Sequence, residues 1–319
     1  MFLTVTPNPS FDKTLHVKAL RRGRFQRATD VSLEAGGKGI NVARALALAG
    51  HEVVAVIPAE LSGANEFSAV LGNIDGLELV ATDSGSPIRT NITIIEPDGT
   101  TTKVNESGSE LDEEATALLL EETVAFSGKS DWVVVSGSHP PGFDPQFIAN
   151  LRAALPETAS LAVDANGSAL GHAVDAGVDL IKPNREELEM FIGSPLHTIG
   201  DVVDAAQSLR ERGVGSVLVS LGADGAVLIE EDVAISGRAV NPNVANTVGT
   251  GDAFLAGFLS AGAKGHPGLG EALAWGHAAA GSPTTAFAQA TDDNRTAVEL
   301  SHQLDPTVRL VESSWGVNG

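Results

Sequence analysis

Cysteine is absent from the 319 residues, which excludes a disulfide framework, a thiolate metal site and a thiol nucleophile. An intracellular, cytoplasmic protein is the expectation that follows. Positive charge is scarce too: 20 Lys and Arg stand against 41 Asp and Glu, a formal net charge of −21. A field of that sign repels nucleic acid and anionic membrane surfaces, so neither is expected as a partner, and any phosphate has to be held by local groups. Long apolar runs are also missing. No uncharged stretch approaches the roughly 20 residues that cross a bilayer, and Met1-Phe-Leu-Thr-Val-Thr-Pro7 has no basic segment ahead of an apolar one. Neither a transmembrane helix nor a secretion signal is expected.

What is present is ample apolar content, 43%, enough to bury a core in one large domain. Short apolar runs recur, each closed by a Gly, Pro, Asp or Asn cluster: Phe2 to Val5, Val53 to Ile57, Trp132 to Val135, Leu161 to Val163, Leu180 to Ile181 and Val217 to Val219. They read as buried strands. Between them lie stretches with helical spacing, among them Ile40 to Ala49 closed by Gly50, Leu111 to Val124, and Val202 to Arg212 closed by Gly213. The alternation predicts an α/β protein with a mainly parallel sheet covered by helices. Ligands of such sheets sit beyond the carboxyl ends of the strands. The residues there are Gly137 and Ser138, Asp164, Lys182 and Asn184, and Gly222, a set suited to a polar, phosphorylated ligand.

Two segments break the alternation. Arg89 to Glu96 and Thr101 to Asn105 flank Pro97-Asp98-Gly99-Thr100 and read as a hairpin. Phe11 to Ala35 is poor in helix signals yet carries Lys13, Lys18, Arg21, Arg22, Arg24 and Arg27. That concentration of positive charge reads either as a solvated face or as part of a small β-sheet lid that meets an anionic substrate.

The strongest local signal is Asn246-Thr-Val-Gly-Thr-Gly-Asp252, leading into the apolar stretch Ala253-Phe-Leu-Ala-Gly-Phe-Leu-Ser260. A Gly-Thr-Gly turn at a helix N-terminus offers backbone N–H groups to an anion, and Asp252 in the first turn can take a hydroxyl proton. An ordinary helix start has the same look. Glu34-Ala-Gly-Gly-Lys-Gly-Ile-Asn41 is a second glycine cluster, with Lys38 as a point charge for phosphate. It fits neither Gly-x-Gly-x-x-Gly nor the P-loop pattern.

Thr6-Pro-Asn-Pro-Ser-Phe-Asp12, Gly36-Gly-Lys-Gly-Ile-Asn41, Arg89-Thr-Asn91, Gly137-Ser-His-Pro-Pro-Gly142, Lys182-Pro-Asn-Arg-Glu-Glu187, Ser220-Leu-Gly-Ala-Asp-Gly225 and Gly249-Thr-Gly-Asp252 together resemble the phosphofructokinase B branch of the ribokinase-like carbohydrate kinases, in the family's order and over nearly the whole chain. Gly-Gly-Lys-Gly is similar to the subgroup of 1-phosphofructokinases and tagatose-6-phosphate kinases. The resemblance implies a three-layer α/β/α sandwich over residues 1–319, with a small β-sheet lid from about 11–35 and 88–105. It implies that Asp12, Gly37, Lys38, Asn41, Arg89 and Ser138 hold a sugar phosphate and that Asp252 is the base. Gly249, Thr250 and Gly251 would form the anion hole. Lys182, Asn184, Ser220, Gly222 and Gly225 would contact ATP, and Glu187 would position Mg2+ through water. His139 and Thr250 depart from the family's usual apolar residue and alanine. A packed bystander is the expectation for His139.

The substrate so implied is fructose 1-phosphate, with tagatose 6-phosphate and fructose 6-phosphate as alternatives, and lid pairing in a homodimer is implied, with Arg24 or Arg27 reaching a substrate phosphate in its own or a partner subunit. A nicotinamide dehydrogenase needs its glycine fingerprint after the first strand, where this chain has Thr6-Pro-Asn-Pro. A sugar-phosphate sensor without catalysis would have no need of Asp252 and Glu187.

Overall fold

The structure, a computed structural model, describes residues 1–240, 248–282, 289–301 and 303–311. Its larger sheet has ten strands, in the spatial order Val298–Ser301, Ala234–Ala239, Ala226–Ile229, Ser216–Ser220, Leu180–Ile181, Ser160–Asp164, Trp132–Ser136, Phe2–Val5, Val53–Ala59 and Leu77–Asp83. From Ser216–Ser220 to Leu77–Asp83 every pairing is parallel. The remaining edge, from Ala226–Ile229 outward, is antiparallel.

Strand alternation sorts the core into two layers. Leu3, Val5, Val133, Val135, Leu161 and Val163 face one side, where they meet the helices Glu113–Ser127, Phe147–Ala154, Ser168–Asp175 and Ile199–Glu211. Phe2, Val134, Ala162 and Leu218 face the other, against Lys38–Leu48, Leu61–Leu71, Thr250–Ser260 and Gly265–Ala280. Burial on both faces explains why these strands are near-continuous apolar runs. The result is the expected α/β/α sandwich.

Helix boundaries shift from the sequence expectation for local reasons. The helix expected from Leu111 starts at Glu113, because the Asp112 side chain accepts from the Ala115 amide at 2.9 Å. The one expected from Val202 starts at Ile199, behind a capping box of Thr198 and Asp201. Such caps satisfy amides that the first turn cannot pair.

A second sheet of four strands has the order Asp30–Gly36, Ser10–His16, Arg89–Ile95, Thr101–Asn105. Its register makes it two-faced. Leu33, Lys13, Ile92 and Val104 form one row and Val31, Leu15 and Ile94 sit in the next on the same side. The opposite side carries Asp12, Thr14, Asn91 and Thr93. The apolar side is rooted where Phe11 packs on Phe67 of the helix Leu61–Leu71. Farther out it is open: Val31, Leu33 and Val104 are 51%, 40% and 56% exposed. The connection from His16 to Asp30 carries Lys18, Arg21, Arg22, Arg24 and Arg27, and no ion pair among the described residues engages them.

The helix Thr250–Ser260 is held by a close crossing. A Cβ on Gly257 would lie 2.6 Å from the Glu271 carbonyl oxygen and 2.8 Å from Trp275 Cγ, and one on Gly268 would lie 2.8 Å from Phe258. Glycine costs about 0.5–1 kcal/mol in a helix interior, and here its missing side chain permits the contact. Gly257→Ala is therefore expected to destabilise the fold by about 1–3 kcal/mol, the usual cost of overpacking, seen as a lower urea midpoint with unchanged slope.

Candidate active site

The parallel strands deliver polar residues in a row at their carboxyl ends. Asp164 closes Ser160–Asp164, Lys182 follows Leu180–Ile181, and Gly137 and Ser138 follow Trp132–Ser136. Lys38 opens the helix Lys38–Leu48 after the turn from Gly36. That turn needs glycine twice: a Cβ on Gly36 would lie 2.2 Å from Asp12 Oδ2, and Gly37 has φ 116° with Thr6 Cγ2 2.7 Å from where a Cβ would be.

At the centre is Asp164, 1% exposed. Lys38 Nζ approaches its Oδ1 at 3.1 Å and Lys182 Nζ its Oδ2 at 3.2 Å. Ser136 Oγ donates to the same Oδ2 at 3.4 Å. Burial opposes the carboxylate, but Lys182 and Lys38 outweigh it and hold its pKa below the usual value. Lys38 is shifted upward, chiefly by Asp164 against the effect of burial, with Glu187 and Asp252 adding to the rise. Lys182 is only 4% exposed, so it is not a surface charge.

Asp252 stands in the first turn of Thr250–Ser260 and is buried. Burial is the main cause that pushes its pKa up to about 7, and the charge of Asp164 adds to it. Asn41, Lys38 and Lys182 pull the other way. Asn41 Nδ2 donates to Asp252 Oδ2 at 2.8 Å, so this amide, expected on the sugar phosphate, is engaged with the carboxylate. Gly249, in the left-handed region at φ 76°, precedes the helix, and its carbonyl accepts from the Asp252 and Ala253 amides. Thr250 Oγ1 is buried without a hydrogen-bond partner among the described residues. A Cβ on Gly251 would be 3.6 Å from Lys182 Nζ, which brings the lysine to the Gly-Thr-Gly turn. Asn246 and Thr247, the first residues of that motif, lie outside the described residues.

Glu187 and Asn184 have a structural task as well. Asn184 Oδ1 accepts from the Glu187 amide at 2.8 Å and Glu187 Oε2 accepts from the Asn184 amide at 2.9 Å, a capping box for Arg185–Ile192. Glu187 Oε1 remains 3.9 Å from Lys38 Nζ. Among the described residues no group of three or more His, Cys, Asp or Glu could hold a metal. One carboxylate oxygen at the edge of a cluster with two lysines fits Mg2+, which keeps several waters and takes one or two protein carboxylates beside substrate phosphates.

Two further groups flank this centre. On the polar side of the small sheet, Asn91 Nδ2 and Ser10 Oγ both donate to Asp12 Oδ1, at 2.9 and 2.8 Å. Nearby, Arg89 Nη1 donates to the Glu106 carbonyl. On the other flank, Ser220 bridges to Asn184, and the turn after it carries Gly222 and Gly225. Gly225, at φ 95°, would place a Cβ 2.0 Å from the Gly237 carbonyl oxygen. His139 lies against Phe143 with ring centroids 4.4 Å apart. Burial, then the neighbouring His172, lowers its pKa to about 4. Its buried Nε2 has no hydrogen-bond partner among the described residues.

Residues 7–292 match the model of the pfkB family carbohydrate kinases. The chain belongs to that family. It is a sugar kinase, 37% identical over 265 residues to the 1-phosphofructokinase of Haloferax volcanii, with 82% of this chain and 84% of that one covered. The kinase superposes on phosphofructokinase-2 from Escherichia coli in complex with potassium at TM-score 0.84 and 28% identity, over 93% of this chain and 97% of that one. Arabidopsis thaliana ribokinase, complexed with ribose and ATP, shares the fold at TM-score 0.72 and 18% identity, with 93% and 97% covered.

Residue types were legible in the motifs, but Asp164 as the hub was not. Its signal was a carboxylate directly after the apolar run Leu161 to Val163, on the residue where a parallel sheet presents ligands.

The pH profile tests the electrostatics. A carboxylate that takes a proton must be ionised, so if Asp252 is the base, kcat/KM should fall about tenfold per unit below pH 7 and level off above it. Removing the Asn41 hydrogen bond, which favours the ionised form, should move that limb to higher pH in Asn41→Leu. Asp164→Asn deletes a like charge and should move it lower.

Proposed function

We propose that the kinase transfers the γ-phosphoryl group of ATP to the 6-hydroxyl of fructose 1-phosphate, giving fructose 1,6-bisphosphate, with Asp252 as general base. The observation that carries this reading is Asp252 itself: a buried carboxyl with a pKa near 7, at a helix N-terminus, with two lysines close by. The name of the Haloferax relative supports the substrate.

In this mechanism the sugar hydroxyl gives its proton to Asp252 as its oxygen bonds to the γ-phosphorus and the bond to the ADP oxygen breaks. Phosphoryl transfer needs positioning and charge stabilisation more than covalent help. Lys38 and Lys182 supply cations, and the amides of Gly249, Thr250 and Gly251 supply donors where charge develops. Asp12, Gly37, Lys38, Asn41, Arg89 and Ser138 would line the sugar-phosphate side. Lys182, Asn184, Ser220, Gly222 and Gly225 would line the nucleotide side. Glu187 would hold Mg2+ through water, and the ion would neutralise phosphate charge. We read residues 1–319 as one domain in the cytoplasm, with the small sheet as its lid.

The two-faced small sheet favours a homodimer. Its polar side, with Asp12 and Asn91, would cover the sugar, while Leu15, Val31, Leu33, Ile92, Ile94 and Val104 present an apolar side that is open at its outer rows. Pairing two copies there would bury it and bring the unpaired Arg24 and Arg27 toward the second copy.

The test is Mg2+-dependent ADP release with fructose 1-phosphate, fructose 6-phosphate and tagatose 6-phosphate in parallel. Fructose 1-phosphate should give the highest kcat/KM, and Asp252→Asn should lower kcat by about 10²- to 10⁴-fold. Preference for another sugar would overturn the substrate, and a fully active Asp252→Asn would overturn the base. For the assembly, light scattering should show a dimer that Leu33→Asp with Val104→Asp converts to a monomer. A monomeric wild type would sink the pairing.

A further inference from the structure

Asn8 is a buried polar residue near the site, 6% exposed, in the segment that follows the first strand. Its Nδ2 donates to the Ser107 carbonyl at 3.0 Å and to Ser138 Oγ at 3.2 Å. The amide orientation follows from chemistry, since a carbonyl oxygen can only accept and the nitrogen must therefore face Ser107. Both amide protons are then committed, one to each partner.

Ser138 Oγ, once it accepts from Asn8, still has its own proton to donate. A hydroxyl whose lone pair is occupied from behind is poised to donate toward an anion. Ser107 belongs to the segment that leaves the small sheet, and this segment is tied to Arg89 on both sides. Arg89 Nη1 donates to the Glu106 carbonyl at 2.9 Å, and the Thr90 amide donates to Glu106 Oε2 at 2.8 Å. Ser109 Oγ further donates to the Pro87 carbonyl at 3.0 Å. Gly108, at φ 94°, lets the Asn8 side chain approach, since a Cβ there would fall 2.3 Å from Asn8 Oδ1.

We propose that Asn8 is a positioning residue for the sugar phosphate: it fixes Ser138 as a donor toward the anion and anchors, through Ser107, the segment that braces Arg89. The proposal rests on the reading above that Ser138 and Arg89 meet the substrate.

Asn8→Asp keeps the size but replaces the donor by an acceptor, which turns the Ser138 proton inward and adds a negative charge. Calorimetric titration with fructose 1-phosphate, without nucleotide, should show affinity weakened about tenfold in both Asn8→Ala and Ser138→Ala, the scale of one hydrogen bond to a charged group, and more in Asn8→Asp. ATP affinity and the thermal midpoint serve as controls: both should stay near wild type in Ser138→Ala, whereas the midpoint should fall in Asn8→Asp, whose buried carboxylate faces the Ser107 carbonyl, and retained ATP affinity in the Asn8 variants shows that the sugar-phosphate loss is local. The double variant Asn8→Ala with Ser138→Ala should bind no worse than about the weaker single variant, because one chain carries both effects. If Ser138→Ala binds normally, the substrate reading fails and the proposal with it. If Ser138→Ala is weakened while Asn8→Asp binds as wild type, or the two losses add in full, Asn8 does not act through Ser138 and the proposal alone is overturned.

Discussion

The site is built on one buried carboxylate shared by two lysines. Taking Asp164 out of water costs several kcal/mol unless it is paired and hydrogen-bonded, and Lys38, Lys182 and Ser136 supply that pairing from three separate elements. Removal of either lysine would leave a buried charge under-compensated, so the arrangement holds as a unit. The same charge acts on Asp252, raising its pKa alongside burial. One residue thus keeps two cations in place and adds to the burial that raises the pKa of the neighbouring Asp252 to about 7, where a carboxyl can both take and release a proton at cellular pH.

Geometry for this comes from the parallel sheet. Strands running in one direction end at one edge, so residues far apart in sequence arrive side by side: Lys38 and Asp164 are 126 positions apart, Asn41 and Asp252 are 211. The helix Thr250–Ser260 then points its N-terminus at that edge, seated by the Gly257 and Gly268 crossing. The small sheet contributes through period-two alternation, which puts Asp12 and Asn91 on one side and an apolar surface on the other. Burial on both sides of a sheet produces apolar runs, whereas burial on one produces alternation.

That difference decides what could be read in the sequence. The doubly buried strands, such as Phe2–Val5 and Trp132–Ser136, stand out as apolar runs. Leu77–Asp83 and Ala234–Ala239 do not, because they lie at or near an edge, are partly exposed, and mix in Glu, Asp, Gly and Arg. Val298–Ser301, the antiparallel neighbour of Ala234–Ala239, is equally mixed. In the site, the motifs named residue types but not their mates. Asn41 and Lys38 share a motif, yet one bonds Asp252 and the other Asp164. Glu187 and Asn184 read as ligand contacts and serve also as each other's cap, a reciprocity that short spacing permits but does not announce.

A sugar kinase with a net charge of −21 has to separate its global field from its local one. Salt does this at long range, since exposed charges more than about 10 Å apart are largely screened at 0.1 M. At short range the contacts of the two lysines with buried Asp164, in a setting of lower dielectric, are screened far less. Lys38 is the group that spans both regimes, because its side chain is 37% exposed while its ammonium meets the fully buried Asp164. Lys38 is reachable from solvent, whereas Lys182, 4% exposed, has to be met from within the site. In the proposed reaction the outer cation would capture charge and the inner one would orient it.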